Sequence, residues 1–133
     1  MLAKTFPLLI AALMIFAAPA PAFVRPLTPE AFAVERDSYQ QFVFEVSRSA
    51  RVFGHFRSQG DSGNDIRVYI IDADQLENFK NSRDVNNYYS SGQVANGQID
   101  VRLRFGRYVI IFDNRFPPYA SKNITSNVQI EED

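Results

Sequence analysis

Apolar residues recur at every second position in several short runs of this sequence, and this alternation constrains the fold more than any other feature. In "DIRVYII", Ile66, Val68 and Ile70 alternate with Arg67 and Tyr69. Successive side chains of a β-strand point to opposite faces, so a half-buried strand of an antiparallel sheet has this period. The same alternation predicts strands in "YQQFVFEV", "ARVFGHF", "QIDVRLRF" and "NITSNVQI".

The segments between these runs complete the prediction. "YVIIF" is apolar on both faces, which indicates a central strand, and Gly106 before it predicts a hairpin with "QIDVRLRF". "DADQLENFKN" tolerates a short helix, with Asp74 as its cap and Leu76 and Phe79 facing inward. Strands at this spacing, joined by Gly, Asn, Asp and Ser turns, predict an all-β antiparallel sandwich of the jelly-roll type with about seven or eight strands.

The first 22 residues have the pattern of a secretory signal peptide. A lysine near the start precedes the apolar run of residues 6–18, and "APA" at residues 20–22 fits the rule for cleavage before Phe23. This predicts a secreted or periplasmic protein without a transmembrane segment after cleavage. An uncleaved N-terminal anchor is the alternative, although the run is shorter than the ~20 residues of a spanning helix.

Residues 23–37 carry little pattern. Pro26 and Pro29 suggest an extended leader, either a linker or an edge segment. Thr28 could instead cap a helical turn that starts at Pro29. The sandwich domain itself is predicted to occupy residues 38–133.

Composition excludes several classes of function. The chain has 133 residues, with 14 Lys and Arg against 15 Asp and Glu, so it lacks the basic excess of a nucleic-acid binder. Without cysteine it has neither disulfides nor a lipoprotein anchor. Its single histidine, His55, lies in a strand pattern with no nucleophile motif nearby, and it could not complete a zinc site. We therefore expect no enzyme activity and no cofactor.

The strand "GRYVIIF" ends abruptly at the polar triplet Asp113-Asn114-Arg115. Asp and Asn readily bond their own main chain, and Pro117 and Pro118 cannot continue a strand. This pattern favours a structural turn over a ligand site at Asp113.

The same region carries a resemblance. "GRYVIIFDNRF" followed by "SKNITSNVQI" resembles the C-terminal half of GOLD (Golgi dynamics) domains, in which a Gly-x-Tyr strand runs into a Phe-Asp-Asn turn before a Ser-Lys pair and a final strand. The matching residues are Gly106, Tyr108, Phe112, Asp113, Asn114, Ser121 and Lys122.

The resemblance implies a β-sandwich that acts as a non-catalytic interaction module. The chain lacks the cysteine pair, coiled coil, membrane helix and CRAL-TRIO module that accompany this domain in other members. The chain also resembles stand-alone secreted bacterial sequences, which imply no function of their own. Cargo selection and lipid transfer are therefore not implied.

Acidic loops offer weak candidates for a calcium site. Asp61, Asn64 and Asp65 precede a predicted strand, and Asp72 and Asp74 follow it. Oxygen ligands suit Ca²⁺, but "DSGND" lacks the spacing of a calcium loop. The two groups should also lie at opposite ends of a strand about 20 Å long.

Two further groups could bind a ligand or a partner. Tyr88 and Tyr89 could supply an aromatic platform for a carbohydrate, with one ring exposed and the other buried. A basic patch for an anionic lipid or an acidic partner could form from Arg102, Arg104, Arg107 and Arg115. The sequence thus predicts a protein-binding module as the main function, with a small ligand or ion at the sandwich loops as the alternative.

Overall fold

A computed structural model describes residues 23–133, and seven antiparallel β-strands with one short helix account for most of them. The strands are β1 (Phe23–Pro26), β2 (Ala31–Val34), β3 (Tyr39–Gln59), β4 (Ile66–Asp72), β5 (Tyr89–Val94), β6 (Asn96–Asp113) and β7 (Lys122–Glu132). They follow the order β1-β7-β3-β6-β4-β5 in one sheet, and β2 also pairs with β7. The all-β prediction is confirmed. The predicted signal peptide lies outside the described residues.

Two long strands form the backbone of the sheet. β3 and β6 pair along nearly their whole length, and a bulge between Val46 and Ser49 shifts their register. Gly106 lies on β6 across from this bulge with a φ of 155°, a conformation that favours glycine. The ribbon bends there, and we call this region the bend.

The bend folds the ribbon onto itself and makes two layers. Phe56 pairs with Gly97, and Gln40 pairs with Phe112. Gly97 and Phe112 would be roughly 50 Å apart on a straight strand, at about 3.3 Å per residue. Instead, the ring centroids of Phe56 and Phe112 are 6.0 Å apart. One layer therefore holds β1, β2, β7 and the β3–β6 half beyond the bulge, and the other holds the remaining half with β4 and β5.

The core lies between these layers and follows the predicted alternation. Ile66, Val68 and Ile70 are fully buried, and the corresponding residues of the other alternating runs supply most of the rest. A second, smaller cluster covers the outer face of β4 and β6, where Phe79 of the helix packs on Ile111. Both faces of "YVIIF" are thus buried, as its sequence indicates.

The predicted hairpin at Gly106 is wrong. "QIDVRLRF" and "YVIIF" belong to the single strand β6, and each half pairs with β3. The alternation of "QIDVRLRF" predicts that its last residue, Phe105, faces the core with Leu103. Phe105 is instead 76% exposed, because the residues around Gly106 shift the alternation by one position. A glycine in a bulged strand and a glycine in a tight turn have the same local sequence signal. The alternation of apolar residues therefore could not distinguish a continuous strand from a hairpin.

The short helix occurs where it was predicted. A 3₁₀ turn at Ala73–Gln75 leads into α1 (Leu76–Lys80). Phe79 is buried and Leu76 packs beside it. The expected cap is wrong, since Asp74 lies inside the 3₁₀ turn and no side chain caps either segment.

The segment expected as an extended leader lies in the sheet. β1 and β2 both pair with β7, with Phe23 opposite Glu132 and Val34 opposite Lys122. The alternative of a helical turn at Thr28 is not realised, because Thr28 is buried and its hydroxyl bonds to that of Ser126 at 2.8 Å. Among residues 23–133, no helix is long and apolar enough to cross a membrane.

Candidate functional site

Asn114, the middle residue of the polar triplet, is fully buried and ties three segments of the chain together. Its Nδ2 donates to the carbonyl oxygens of Ala120 at 2.8 Å, Glu35 at 3.1 Å and Val34 at 3.3 Å. Its backbone N–H donates to the carbonyl of Ser38 at 2.9 Å. These contacts satisfy main-chain groups where strands end, so Asn114 has a structural role.

Arg115 ties the helix to the sheet. Its Nε donates to Asp113 Oδ1 at 2.8 Å, and its terminal nitrogens donate to the carbonyls of Lys80 at 3.1 Å and Phe79 at 3.2 Å. The last carbonyls of a helix lack partners within it, and Arg115 provides them here. Its guanidinium also lies 4.6 Å from the centroid of the Phe79 ring. Arg115 is therefore engaged within the fold.

Three further residues on which the predicted GOLD resemblance rests shape the core and the bend. Tyr108 is buried, stacks on Phe44 with centroids 5.7 Å apart, and donates its hydroxyl to the carbonyl of Arg104 at 2.9 Å. Burial and, to a lesser extent, the nearby Asp72 raise the pKa of Tyr108. Phe112 fills the centre between the layers, and the backbone turns at Gly106.

The remaining two residues on which the resemblance rests, Ser121 and Lys122, differ in their exposure to solvent. Ser121 is exposed, whereas Lys122 is only 1% exposed. Lys122 Nζ donates to the carbonyl of Ala120 at 3.4 Å, and no carboxylate among residues 23–133 forms an ion pair with it. Its stem packs so closely on Gly60 that a Cβ there would lie 2.9 Å from Lys122 Cδ. A buried, unpaired ammonium is costly, and this one has a single long hydrogen bond.

Tyr88 and Tyr89 differ in exposure, with Tyr88 exposed and Tyr89 half-buried. Tyr88 is 47% exposed, and its hydroxyl donates to the carboxylate of Asp72 at 3.0 Å. Loss of hydration and this bond raise the pKa of Tyr88. Tyr89 packs against the core, and burial raises its pKa. Arg107 and Asp74 line a shallow hollow beside Asp72, near the exposed ring of Tyr88.

The four arginines of the expected basic patch do not come together. Arg102, Arg104 and Arg107 share the outer face of β6, where Arg102 lies 3.8 Å from Asp133. Arg115 lies beyond the C-terminal end of β6, on the other side of the bend from Arg102 and Arg104. Only Arg104 and Arg107 of this group lack an ion pair within the described part of the chain.

The calcium candidates are also scattered. Asn64 accepts a bond from the backbone of Gly60, and Asp65 accepts one from Gln93. β4 separates Asp61 and its neighbours from Asp72. Within residues 23–133 no group of three or more acidic or histidine side chains could hold a metal ion.

His55 is exposed on β3 beside Arg57 and Thr125. It makes no side-chain hydrogen bond with another residue between 23 and 133, so no orienting partner is present there for a general base.

Among residues 23–133, the first half of β6 has an edge without a partner strand. Residues 96–104 of β6 pair with β3 on one side, and β4 pairs only with the part of β6 beyond the bend. We call residues 96–104 the β6 edge. Within the described chain its outer backbone groups have no neighbouring strand, and Phe105 projects at its end. Sequence analysis did not predict this edge, because the expected hairpin at Gly106 would have paired residues 98–105 with the strand "YVIIF".

A groove lies between the outer face of β4 and the loop that follows α1. We call it the helix groove; its volume is about 440 Å³. Tyr69, Phe79 and Val85 form its apolar part, and its charged part is contributed by Arg67, Arg83, Asp84, Asp113 and Arg115. Sequence analysis missed Arg67 and Arg83, because an arginine in an alternating strand or a polar loop has no distinguishing signal.

Comparisons with known proteins leave the family open. No protein-family model matches the chain, and no curated protein matches it. Among solved structures, a family two carbohydrate esterase from Cellvibrio japonicus aligns with 84% of this chain at 14% sequence identity and a TM-score of 0.31. The chain spans about a third of that protein, 34% of its length. Similarity at this TM-score carries no argument about function.

Proposed function

We propose that this protein is a non-enzymatic, GOLD-like interaction module that binds a partner protein outside the cytoplasm. The observation that carries the proposal is the open β6 edge, whose residues 96–104 pair on one side only. An exposed strand edge offers a row of backbone donors and acceptors to which an extended peptide can add as a further strand.

Two other edges that are unpaired within residues 23–133, those of β5 and of the first half of β3, are less suited to strand addition. β5 is short and has a register shift against β4, with Gly92 at a φ of 66°. Along the first half of β3, the side chain of Gln40 reaches the carbonyl of Ala33. The side chain of Arg25 reaches the carbonyl of Glu45 there. Bulges and covering side chains are common ways to protect edges.

Charge defines the partner segment further. Arg102 and Arg104 lie on the outer face of the β6 edge, and Arg107 follows on the same face. Asp100 is engaged by Arg51 through two hydrogen bonds, at 2.9 and 3.0 Å, which also lower the pKa of Asp100. The remaining arginines favour an extended segment that carries acidic side chains.

The N-terminal sequence supports the proposed compartment. The apolar run and the "APA" site of residues 1–22 support export, and the absence of cysteine is compatible with an oxidising compartment. The GOLD resemblance supports an interaction module, since that family acts without catalysis. Detection of the protein in the periplasmic or culture fraction, with Phe23 at its N-terminus, tests this part of the proposal.

Site-specific photocrosslinking in the native compartment tests the binding edge. A benzoylphenylalanine replaces Phe105 at the end of the β6 edge, and a matched protein carries it at Tyr119. Both aromatic side chains are exposed, at 76% and 57%, but Tyr119 lies in the loop between β6 and β7. We expect a reproducible protein adduct from position 105 and none from position 119.

Charge reversal provides the second arm. The double change Arg104→Glu with Arg107→Glu should abolish the adduct, and Arg36→Glu with Arg83→Glu, also exposed arginines, should leave it unchanged. Equal adducts from positions 105 and 119, or no adduct from a folded and exported protein, would refute binding at this edge.

A further inference from the structure

Two residues of opposite charge, Arg67 and Asp113, lie side by side in the helix groove. Arg67 of β4 and Asp113 of β6 are directly opposite in the sheet register, so their Cβ atoms are about 5 Å apart. No ion pair joins them. The guanidinium of Arg67 instead lies 4.5 Å from the centroid of the Phe116 ring, and it donates to Gln93 Oε1 at 3.1 Å. These contacts engage Arg67 with neighbours other than the carboxylate.

Asp113 has one oxygen engaged and one available. Its Oδ1 accepts bonds from the backbone nitrogen and Nε of Arg115, at 3.2 and 2.8 Å. Oδ2 receives no hydrogen bond from any residue between 23 and 133. The side chain is only 8% exposed, and it lines the groove. A largely buried residue with a free acceptor oxygen thus lines the groove, next to the donor Arg67.

The rest of the groove sets the size and charge of a ligand. The rings of Tyr69 and Phe79 meet edge to face, with centroids 5.5 Å apart, and form an apolar floor. A volume of about 440 Å³ is at the lower end of the range for small-molecule sites. Asp113 and Arg115 form an ion pair and neutralise each other. The other charged residues of the groove are Arg67, Arg83 and Asp84, so the groove has a net positive charge.

From this geometry we infer that the helix groove binds a small carboxylate whose α-carbon carries a hydrogen-bond donor. The carboxylate lies against Arg67 and Arg83, and the α-hydroxyl or α-ammonium donates to Asp113 Oδ2. Hydroxy acids and amino acids share this arrangement. The inference does not rest on the proposed binding of a protein at the β6 edge, which lies elsewhere on the sandwich.

Titration of the isotope-labelled protein with matched ligands, followed by amide NMR signals, tests the inference. Lactate and alanine carry the α-donor as a hydroxyl and an ammonium group, propionate lacks the donor, and lactamide lacks the carboxylate. We expect saturable shifts of the Tyr69 and Val85 amides with lactate or alanine below about 10 mM, a range that detects a Kd near 1 mM. Propionate and lactamide should bind at least about tenfold more weakly, since each lacks one hydrogen-bonded group.

Variants locate the site. Arg83→Gln and Arg67→Gln should each weaken binding by about tenfold or more, because hydrogen bonds to charged groups are the stronger ones. Arg36→Gln, a change of an exposed arginine outside the groove, should have no effect. A variant of Asp113 would also release Arg115 and could disturb the fold. The role of Asp113 is therefore tested by comparing the binding of lactate with that of propionate. Absence of saturable shifts with both lactate and alanine, or equal binding of propionate, would overturn the inference.

Discussion

Asn114 gives the sharpest test of whether the polar triplet supports the fold. Its Nδ2 has two hydrogens, which are shared among three carbonyl oxygens at 2.8 to 3.3 Å. Asn114→Ala leaves two of these carbonyls without a donor in a site that is fully buried. Each such loss costs about 1–3 kcal/mol, so we expect a total loss of about 3 kcal/mol. For a domain of this size, that lowers Tm by more than about 10 °C.

Asn114→Asp sharpens the test because it preserves the shape and removes the donor. At pH 7 a buried carboxylate would face the three carbonyl oxygens, so this variant should be less stable than Asn114→Ala. Desolvation raises the pKa of such an acid above its unfolded value of about 3.9. Its deficit should therefore be full at neutral pH and should shrink as the pH falls through the folded-state pKa, since protonation restores a donor.

Urea denaturation followed by circular dichroism measures both effects, and Asn86→Ala serves as the control. Asn86 is exposed, and its replacement should change the free energy of unfolding by less than about 0.5 kcal/mol. An Asn114→Ala protein within about 0.5 kcal/mol of wild type would refute the structural role. So would an Asn114→Asp protein that is as stable at pH 7 as Asn114→Ala.

Three further changes test other parts of the fold. Gly54→Ala should lower the free energy of unfolding by more than about 3 kcal/mol in urea denaturation, because its Cβ would lie 1.8 Å from the backbone oxygen of Asn127. The control Gly92→Ala, whose Cβ would have no atom within 4 Å, should cost only about 1 kcal/mol of backbone strain. Similar costs for the two variants would contradict the close packing of β3 on β7. Burial raises the pKa of Tyr108 above its unfolded value near 10, so its contribution to stability is complete below pH ~10 and is lost as the pH rises through the folded-state pKa. Tyr108→Phe should therefore reduce the alkaline fall in Tm, and an unchanged alkaline profile would count against this burial. Lys122→Met removes a buried ammonium group that has one long hydrogen bond, so the protein should be equally stable or more stable by about 1 kcal/mol. A large loss of stability would indicate that Lys122 has a further hydrogen-bond acceptor.

The sequence by itself determined the strands in which apolar residues alternate, and most of their buried faces. Alternation of apolar residues is a local property, because the side-chain direction at each position depends only on the extended backbone of its own strand. Ile66, Val68 and Ile70 are buried for this reason, and the short helix with Phe79 inward was equally predictable. The turn at Asn114 could also be anticipated from residue type, although its three carbonyl partners could not.

Only the tertiary structure decided how these strands are arranged around the candidate sites. Gly106 is a local signal for a turn, and it became the bend of one continuous strand because the bulge of β3 lies opposite it. That bend leaves the β6 edge unpaired. The placement of Arg67 beside Asp113 depends on the register of β4 against β6, and the two residues are far apart in the sequence. Local patterns specify which face of a strand is buried, but pairing partners, register and the resulting clefts are set by contacts between distant segments, and a single sequence carries no local signal for them.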